Sequence, residues 1–318
     1  MKVVLFLRLF LLFFMASKAT CTIIKFPNVS FYTFKEQLYG LRASSEPYIS
    51  GDTFRAAADF VIDETQQPFD SDAIKDGDVI FVKIDFLSFF FTRIHPLLTK
   101  HYILVTHNSD CGVPGAFSRY LDDEKIIAWF GVNSDGYTHQ KFIPVPIGVA
   151  NRHWPYGDIQ VINEARQDIE NSKRSSLCYL NFITGNYPTE RSEVLKLFSS
   201  QPWCVKKTKR SFHDYLQDMK NSKFVLSPRG NGLDCYRTWE AMLMGTIPIV
   251  KHSTLDPLFE GLPVLLINDW SEVTESFLQE TYVKFQAQKF ETDRMLAHYW
   301  LQKIADKKGA FLESLKKC

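Results

Sequence analysis

A strand, a glycine-rich loop, a helix and a second strand follow one another in the second half of the chain, and this pattern limits the fold more than any other feature. The runs Ser222–Leu226 and Ile247–Val250 are short and mostly apolar, which is typical of buried strands. Between them residues 233–244 have helical spacing, and the loop before that helix contains Gly230 and Gly232. Such a βαβ unit requires a parallel sheet, with ligands expected at the carboxyl ends of its strands.

The same alternation of short apolar runs and amphipathic segments extends over both halves of the chain. It predicts an α/β fold class with a doubly wound parallel sheet, and the pattern starts again in the second half. Further strands are predicted at residues 79–84, 102–106, 126–130, 177–182 and 264–267, and helices at residues 32–38, 54–62, 89–99, 116–122, 190–198 and 280–317.

A length of 318 residues suits two domains. Residues 142–149 resemble a last strand stiffened by two prolines, which a central ladder does not tolerate. The polar stretch that follows predicts a linker or a crossing helix. The expected division is a leader at residues 1–19, an N-terminal acceptor-side domain at 20–155, a linker at 156–176 and a C-terminal domain at 177–318.

The charge balance argues against a polyanionic partner, because 37 Lys and Arg residues against 36 Asp and Glu residues leave a net charge of +1. We therefore expect no nucleic-acid partner. The six cysteines allow up to three bridges in an oxidising compartment, but their spacing fixes no pairing and shows no zinc motif. Buried free thiols are the simpler interpretation for most of them.

The first residues resemble a secretory signal. An apolar run from Val3 to Ala16, interrupted by Arg8, ends in small residues that suit cleavage after Ala19. The run is shorter than the ~20 residues that span a bilayer, although a retained signal anchor is an alternative, and only then would the protein be membrane-associated. The sequon at Asn28 fits passage through a secretory pathway. The expected location is a Golgi-type lumen or a bacterial envelope.

The glycine-rich loop has the properties of an anion site. Gly230 and Gly232 allow the backbone to approach a ligand, and the helix that follows directs its free N–H groups to the same place. Arg229 and Arg237 add planar donors suited to phosphate, while Glu240 could accept from ribose hydroxyls. The alternative is an exposed Arg237–Glu240 ion pair beside glycines that only end a strand.

Two common nucleotide motifs are absent from this loop. A nicotinamide fingerprint would place a third glycine where Cys235 stands and an acid after the next strand, where the sequence has Lys251. The chain contains no Gly-Lys-Ser/Thr of a Walker loop. A nucleotide site that lacks the motifs of both hydride transfer and ATP binding indicates group transfer from a sugar nucleotide.

The segment around the glycine-rich loop resembles a known family. Residues 222–250 read SKFVLSPRGNGLDCYRTWEAMLMGTIPIV, which is similar to the donor-site segment of the exostosin-like glycosyltransferases of family 47. The resemblance is strongest over residues 177–270. It implies a GT-B fold with two Rossmann-like doubly wound domains facing a cleft, and a UDP-linked sugar donor held by the C-terminal domain. It also implies an inverting mechanism, no metal or other cofactor, and a glycan or glycoprotein acceptor.

The resemblance also implies roles for individual residues. Arg229 and Arg237 would hold the diphosphate and Glu240 the ribose. Gly230, Asn231 and Gly232 would form the loop that binds the donor, and Arg191 is a weaker candidate for the phosphates. Two Asp-x-Asp sequences, at residues 70–72 and 76–78, match the metal motif of another glycosyltransferase fold, but they precede a strand and are interpreted as turn and cap residues.

An inverting transfer needs a base on the opposite domain to accept the proton of the acceptor hydroxyl. Asp110 and His107 follow a predicted central strand and are the first candidates, with Asp85 third. The alternative is that residues 108–110 only form a turn. Of the 27 phenylalanines, Phe86 and residues 89–91 are expected to line the acceptor side.

Two other functions stay open at this stage. One is a catalytically silent glycan- or nucleotide-binding protein of the same fold. The other is a GT-B nucleotide-sugar epimerase.

Overall fold

Two five-stranded parallel sheets form the centre of the protein in a computed structural model, which describes residues 42–317. The α/β class with two parallel sheets, expected from the sequence, is thereby confirmed. The proposed signal segment, the sequon at Asn28, Cys21 and Cys318 lie outside the described residues.

The first sheet has its strands side by side in chain order, β1 to β5. Strand β3 is buried along its whole length because it lies at the centre of the sheet. Strand β5 forms an edge, the place where proline is tolerated. The strands are β1 Phe60–Ile62, β2 Asp78–Lys83, β3 Tyr102–His107, β4 Ile126–Gly131 and β5 Phe142–Pro144.

The second sheet has the order β7-β6-β8-β9-β10, in which the direction of winding reverses between β6 and β8. Such a reversal opens a crevice at the carboxyl ends of the two strands, which is where open α/β sheets bind ligands. The strands are β6 Ser176–Leu180, β7 Cys204–Lys206, β8 Ser222–Leu226, β9 Ile247–Lys251 and β10 Leu265–Ile267.

Helices connect the strands and cover the sheets. They are α1 Gly51–Ala56, α2 Leu87–Phe89, α3 Ile159–Arg166, α4 Pro188–Phe198, α5 Phe212–Lys220, α6 Tyr236–Leu243, α7 Asp256–Phe259, α8 Glu275–Gln286 and α9 Ala297–Leu315. Helix α2 continues through a π-helical turn, Phe90–Ile94, into a 3-10 turn, His95–Leu97. Other 3-10 segments are Ser71–Ala73, Ile84–Phe86, Gly115–Asp122, Ile169–Asn171, Thr184–Asn186, Trp270–Glu272 and Thr292–Met295.

Helix α9 returns to the first sheet, although the sequence placed it with the second domain. Trp300 and Ile304 are buried in the core of the first sheet. Lys308 lies 3.5 Å from Asp59, and the Phe311 ring packs 5.0 Å from His101. The same core includes Trp239 and other side chains of the second half, while most buried residues of the second sheet form separate clusters.

Most predicted strands are confirmed within one or two residues, but two short strands were missed. Residues 54–62 were predicted as helix, whereas α1 ends at Ala56 and β1 begins at Phe60. Strand β7 has only three residues. The predicted helix at 116–122 is a 3-10 segment, and the C-terminal helical region is divided by Thr292–Met295. Between residues 42 and 317, no helix is both long and apolar enough to cross a membrane.

Candidate functional site

Three arginines meet at the crevice between β6 and β8. Arg191 lies on α4, which follows β6, while Arg229 lies in the loop after β8 and Arg237 on α6. Arg191 and Arg237 are buried, with 3% and 9% of their surface exposed. The sequence had proposed all three for the phosphates, and the fold brings them together at the switch point of the second sheet.

The two buried guanidinium groups donate to backbone carbonyls. The face of the Phe182 ring lies 5.6 Å from Arg191 and 5.3 Å from Arg237. The hydrogen bonds run from Arg191 Nε to the Arg229 carbonyl (2.8 Å), from Arg191 Nη1 to Ile183 (2.7 Å), from Arg237 Nε to Asn181 (3.2 Å) and from Arg237 Nη1 to Pro228 (3.3 Å).

No carboxylate of the described residues pairs directly with the arginines of this crevice. Among residues 42–317, none of the three arginines forms a salt bridge. Burial and the neighbouring charge of Arg237 lower the pKa of Arg191 to about 10. Because buried cations are normally paired, the arrangement favours an anionic ligand with several oxygen atoms.

The N-terminus of α6 adds backbone donors to the same crevice. Its N-cap residue is Cys235, whose side chain makes no capping hydrogen bond, so the first amides of the helix stay available. Arg229 stacks 4.5 Å from the Tyr187 ring and donates from Nη2 to the Asn231 carbonyl at 3.0 Å. These contacts hold Arg229 against the mouth of the crevice.

Glu240 lies one turn further along α6 and is buried. Its Oε2 accepts a hydrogen bond from the Tyr215 hydroxyl at 2.9 Å. Burial raises the pKa of Glu240 to about 7, although the Tyr215 hydrogen bond and the charge of Arg237 act in the opposite direction. Glu240 and Arg237 therefore share one crevice and do not form the exposed ion pair of the alternative interpretation.

A cavity of 240 Å³ continues from Arg229 along the carboxyl ends of β8 and β9. Its polar lining includes Lys251, His252 and Ser253, which no sequence argument singled out. They follow the predicted strand at residues 247–250. Because ligands bind at the carboxyl ends of strands in such sheets, the sequence could have indicated these residues. On the side of α4, burial raises the pKa of Glu190, which accepts from Trp270 Nε1 at 3.1 Å.

The glycine-rich loop is held against the first half of the protein. The Asp234 amide donates to Asn133 Oδ1, and Asp234 Oδ2 accepts from the Ile147 amide, both at 2.8 Å. Burial raises the pKa of Asp234 to about 6. A Cβ at Gly232 would lie 3.0 Å from Asn133 Nδ2 and 3.3 Å from Asp110 Oδ1, so this glycine permits the close approach.

Asp110 lies at this junction of the two halves. Its carboxylate faces the Asn231 side chain and the Gly232 amide, both of which would lower its pKa, but burial outweighs them and raises it. The residue proposed from the sequence as a base is therefore close to the donor loop and exposed to solvent.

His107 is placed differently from the sequence expectation. Its Nε2 donates to the Pro146 carbonyl at 3.1 Å, and its Nδ1 accepts from the Asn108 amide at 2.8 Å. Burial lowers the pKa of His107 to about 4. With both ring nitrogens occupied, the ring has no free lone pair, and the geometry does not favour it as a base. Asp85 accepts from the Ser109 hydroxyl at 3.1 Å.

The phenylalanines proposed for the acceptor side divide into two groups. Phe90 and Phe91 are buried in the core of the first sheet, and the Phe91 ring stacks 4.0 Å from Tyr120. Phe89 is 53% exposed and Phe86 is half-buried. The sequence could not separate them because an irregular helix has no fixed apolar face.

The cysteines and the Asp-x-Asp sequences follow the simpler interpretations. Cys178, Cys204 and Cys235 are free, whereas Cys111 is disulfide-bonded. Asp70 caps the 3-10 turn Ser71–Ala73, which confirms its predicted role. In the part of the chain that the structure describes, no three His, Cys, Asp or Glu side chains form a group that could hold a metal ion.

A buried network in the first half was not foreseen. Arg42 donates from Nε to both oxygens of Asp52 at 2.9 Å, and Arg55 donates to Asp63 at 2.6 Å. Asp52 also lies 3.4 Å from His153 Nδ1. No local signal links these residues, because Arg42 and Asp63 lie outside the short helix α1 that carries Asp52 and Arg55.

Comparison with known proteins matches residues 166–317 to the family described as the RXYLT1 C-terminal domain. Three relatives are called ribitol-5-phosphate xylosyltransferase 1. The protein of Mus musculus is 24% identical over 46% of this chain and 35% of its own length, that of Danio rerio 24% over 56% and 41%, and that of Homo sapiens 24% over 49% and 40%.

The alignments thus span less than half the length of the curated relatives. A solved structure, the pneumococcal O-GlcNAc transferase GtfA in complex with UDP and GlcNAc, aligns over 78% of this chain and 57% of its own length. The sequence identity is 13%, and the TM-score of 0.30 indicates no close structural match. The chain is a distant homologue of a glycosyltransferase. The matched family is not the exostosin-like one, which stays a prediction.

Proposed function

We propose that this protein is an inverting glycosyltransferase that takes a sugar from a UDP-linked donor. The observation that carries the proposal is the set of three arginines, two of them buried, that converge on one crevice without a carboxylate partner in the described chain. A diphosphate supplies the missing negative charge and the oxygen acceptors. No metal is then needed to hold it.

The roles of the donor-site residues follow from their positions. Arg191, Arg229 and Arg237 bind the diphosphate together with the free amides of α6, and they stabilise the charge that develops on the leaving phosphate. Glu240 accepts from the ribose. The cavity beside Lys251 and His252 adjoins Arg229 and is large enough for part of the donor.

For the sugar and the acceptor, the relatives supply the first candidates. Since they are ribitol-5-phosphate xylosyltransferases, we propose UDP-xylose as the donor to test first and a ribitol-phosphate-bearing glycan as the acceptor. The setting is a Golgi-type lumen, as the N-terminal segment suggests.

The test is a titration of the purified protein with UDP and GDP, followed by a transfer assay with a panel of nucleotide sugars. We expect UDP to bind and one UDP-sugar to be consumed only in the presence of an acceptor. Binding without turnover would indicate the silent binding protein, and conversion of the donor without an acceptor would indicate an epimerase. Failure of both nucleotides to bind would refute the donor site.

A further inference from the structure

His153 lies beside a buried carboxylate on the segment that follows the first sheet. Its Nδ1 is 3.4 Å from Asp52 Oδ2, is itself buried, and makes no hydrogen bond of ordinary geometry within the described residues. About 20% of the His153 side chain is exposed. Since Nδ1 is inside, the exposed part of the ring includes the Nε2 side, where no described residue bonds.

Asp52 is held rigidly for this contact. It is fully buried at the start of α1, and Arg42 contacts it from Nε at 2.9 Å and from Nη2 at 2.7 Å. Asn108 Nδ2 donates to it at 3.3 Å. Burial alone would raise the pKa of Asp52, but the neighbouring side chains of His153 and Arg42 lower it. An ionised, immobile Asp52 can fix the tautomer of His153 with its proton on Nδ1.

The pair lies at the cleft between the two halves. Asp52 and Asp110 both contribute to the raised pKa of Tyr236, the first residue of α6, after the larger effect of burial. Asn108, which donates to Asp52, belongs to the loop that ends at Asp110, so this loop lies against Asp52. Beyond His153, Tyr156 packs 5.8 Å from Phe212, on the helix that carries Tyr215.

The two candidates for a base that the sequence suggested first, His107 and Asp110, are placed differently from His153. Both ring nitrogens of His107 bond to the backbone, and the Asp110 carboxylate faces the donor loop. His153 combines an orienting carboxylate with an open ring nitrogen, the arrangement that activates a hydroxyl in other enzymes. The half-exposed Trp154 ring, 5.1 Å from the His153 ring, offers an apolar face for an acceptor sugar or polyol.

We propose that His153 is the general base of the transfer and that Asp52 is its positioning residue; this inference rests on the proposed function. His153 Nε2 takes the proton of the acceptor hydroxyl, whose oxygen forms the new bond to the anomeric carbon. The bond from that carbon to the diphosphate breaks, and its electron pair leaves on the phosphate oxygen. The imidazolium returns the proton to solvent after product release.

The first experiment measures His153→Gln with the donor sugar that the wild type uses. Loss of a general base lowers kcat by about 10²–10⁴-fold. UDP affinity and the thermal midpoint should stay at the wild-type values. His139→Gln is the matched control, because His139 has a similar exposure of 19% and lies 3.5 Å from Asp122. It should leave kcat unchanged.

The second experiment tests Asp52 through a double-mutant cycle. If Asp52 acts through His153, Asp52→Asn lowers kcat in the wild type but has no further effect in His153→Gln. A merely structural role would reduce activity in both backgrounds. Should Asp52→Asn fail to fold, recovery of transfer by His153→Ala on addition of imidazole gives an independent answer.

Three outcomes would overturn the proposal. One is wild-type kcat in His153→Gln, and another is an equal loss from Asp52→Asn in both backgrounds. The third is a loss in Asp110→Asn that His153→Gln does not share, which would assign the base to Asp110. In each case inactivity of Arg237→Ala would still support the proposed function, whereas an active Arg237→Ala would reject that function instead.

Discussion

Two pairs of buried arginines distinguish the halves of this protein. In the first half, Arg42 and Arg55 are 5% and 7% exposed and bind the carboxylates of Asp52 and Asp63. In the second, Arg191 and Arg237 are equally buried but contact backbone carbonyls and one aromatic ring.

The two pairs differ in how their positive charge is compensated. A buried cation with a carboxylate partner has its charge compensated within the fold. Removal of that cation leaves a buried anion without a counter-charge. A buried cation without such a partner retains the desolvation cost until an anion arrives. We therefore infer that the first pair maintains structure, and the proposed function assigns the second pair to ligand binding.

Arg42→Met should have the largest effect on stability. It leaves Asp52 without its main counter-charge, and breaking a buried pair costs about 3–5 kcal/mol in the free energy of unfolding. Urea denaturation measures this change. Arg191→Met is the comparison, for which we expect a change below about 1 kcal/mol, because a desolvated and unpaired cation is removed. Equal losses in the two variants would end the distinction between the pairs.

Arg237→Ala should show the opposite pattern. Loss of a donor to the developing phosphate charge lowers kcat/KM by about 10²–10³-fold, while the unfolding midpoint without ligand changes little. Nucleotide titration and a transfer assay measure the two properties. Arg210→Ala is the control, since Arg210 pairs with Asp218 at 2.7 Å on the protein surface. A normal kcat/KM in Arg237→Ala would remove the arginine crevice from the donor site.

The pH dependence of stability tests the crevice in a third way. Burial raises the pKa of Glu240 to about 7, so between its ordinary range and pH 7 the folded state retains a proton that the unfolded state has lost. Stability therefore falls as pH rises through this window. Glu240→Gln keeps the acceptor for Tyr215 and should reduce the fall between about pH 5 and pH 8 by about 2 kcal/mol. An unchanged slope would contradict the raised pKa.

The second half was predictable because its site is local in sequence. Arg229, Arg237 and Glu240 lie within one βαβ unit, whose strand ends, glycines and helix start have known directions. Even Arg191, from the preceding unit, follows a predicted strand. The fold class and the position of the arginines could thus be derived without coordinates.

The first half was less predictable because its site is assembled from distant segments. Asp52, Asn108 and His153 meet only after the sheet has formed. Asp52 lies on the short helix α1 and His153 in a turn, and neither segment is long enough to show a periodicity. His107 was proposed for a loop after a strand, but it is the last residue of β3 and its side chain turns into the interior. A strand end specifies where a residue lies, whereas the partners of its side chain depend on tertiary packing.

Gly232→Ala should have the smallest effect, and it tests how closely the two halves must approach. A Cβ there would lie 3.0 Å from Asn133 Nδ2, so the loop must move by a few tenths of an ångström, at a cost of about 1 kcal/mol. We expect about a fivefold rise in the donor KM, a shift that kinetics with UDP-sugar would detect. Gly185→Ala is the control, because its Cβ would meet no atom within 4 Å. If both variants behave alike, the contact between the donor loop and the first half does not shape the site.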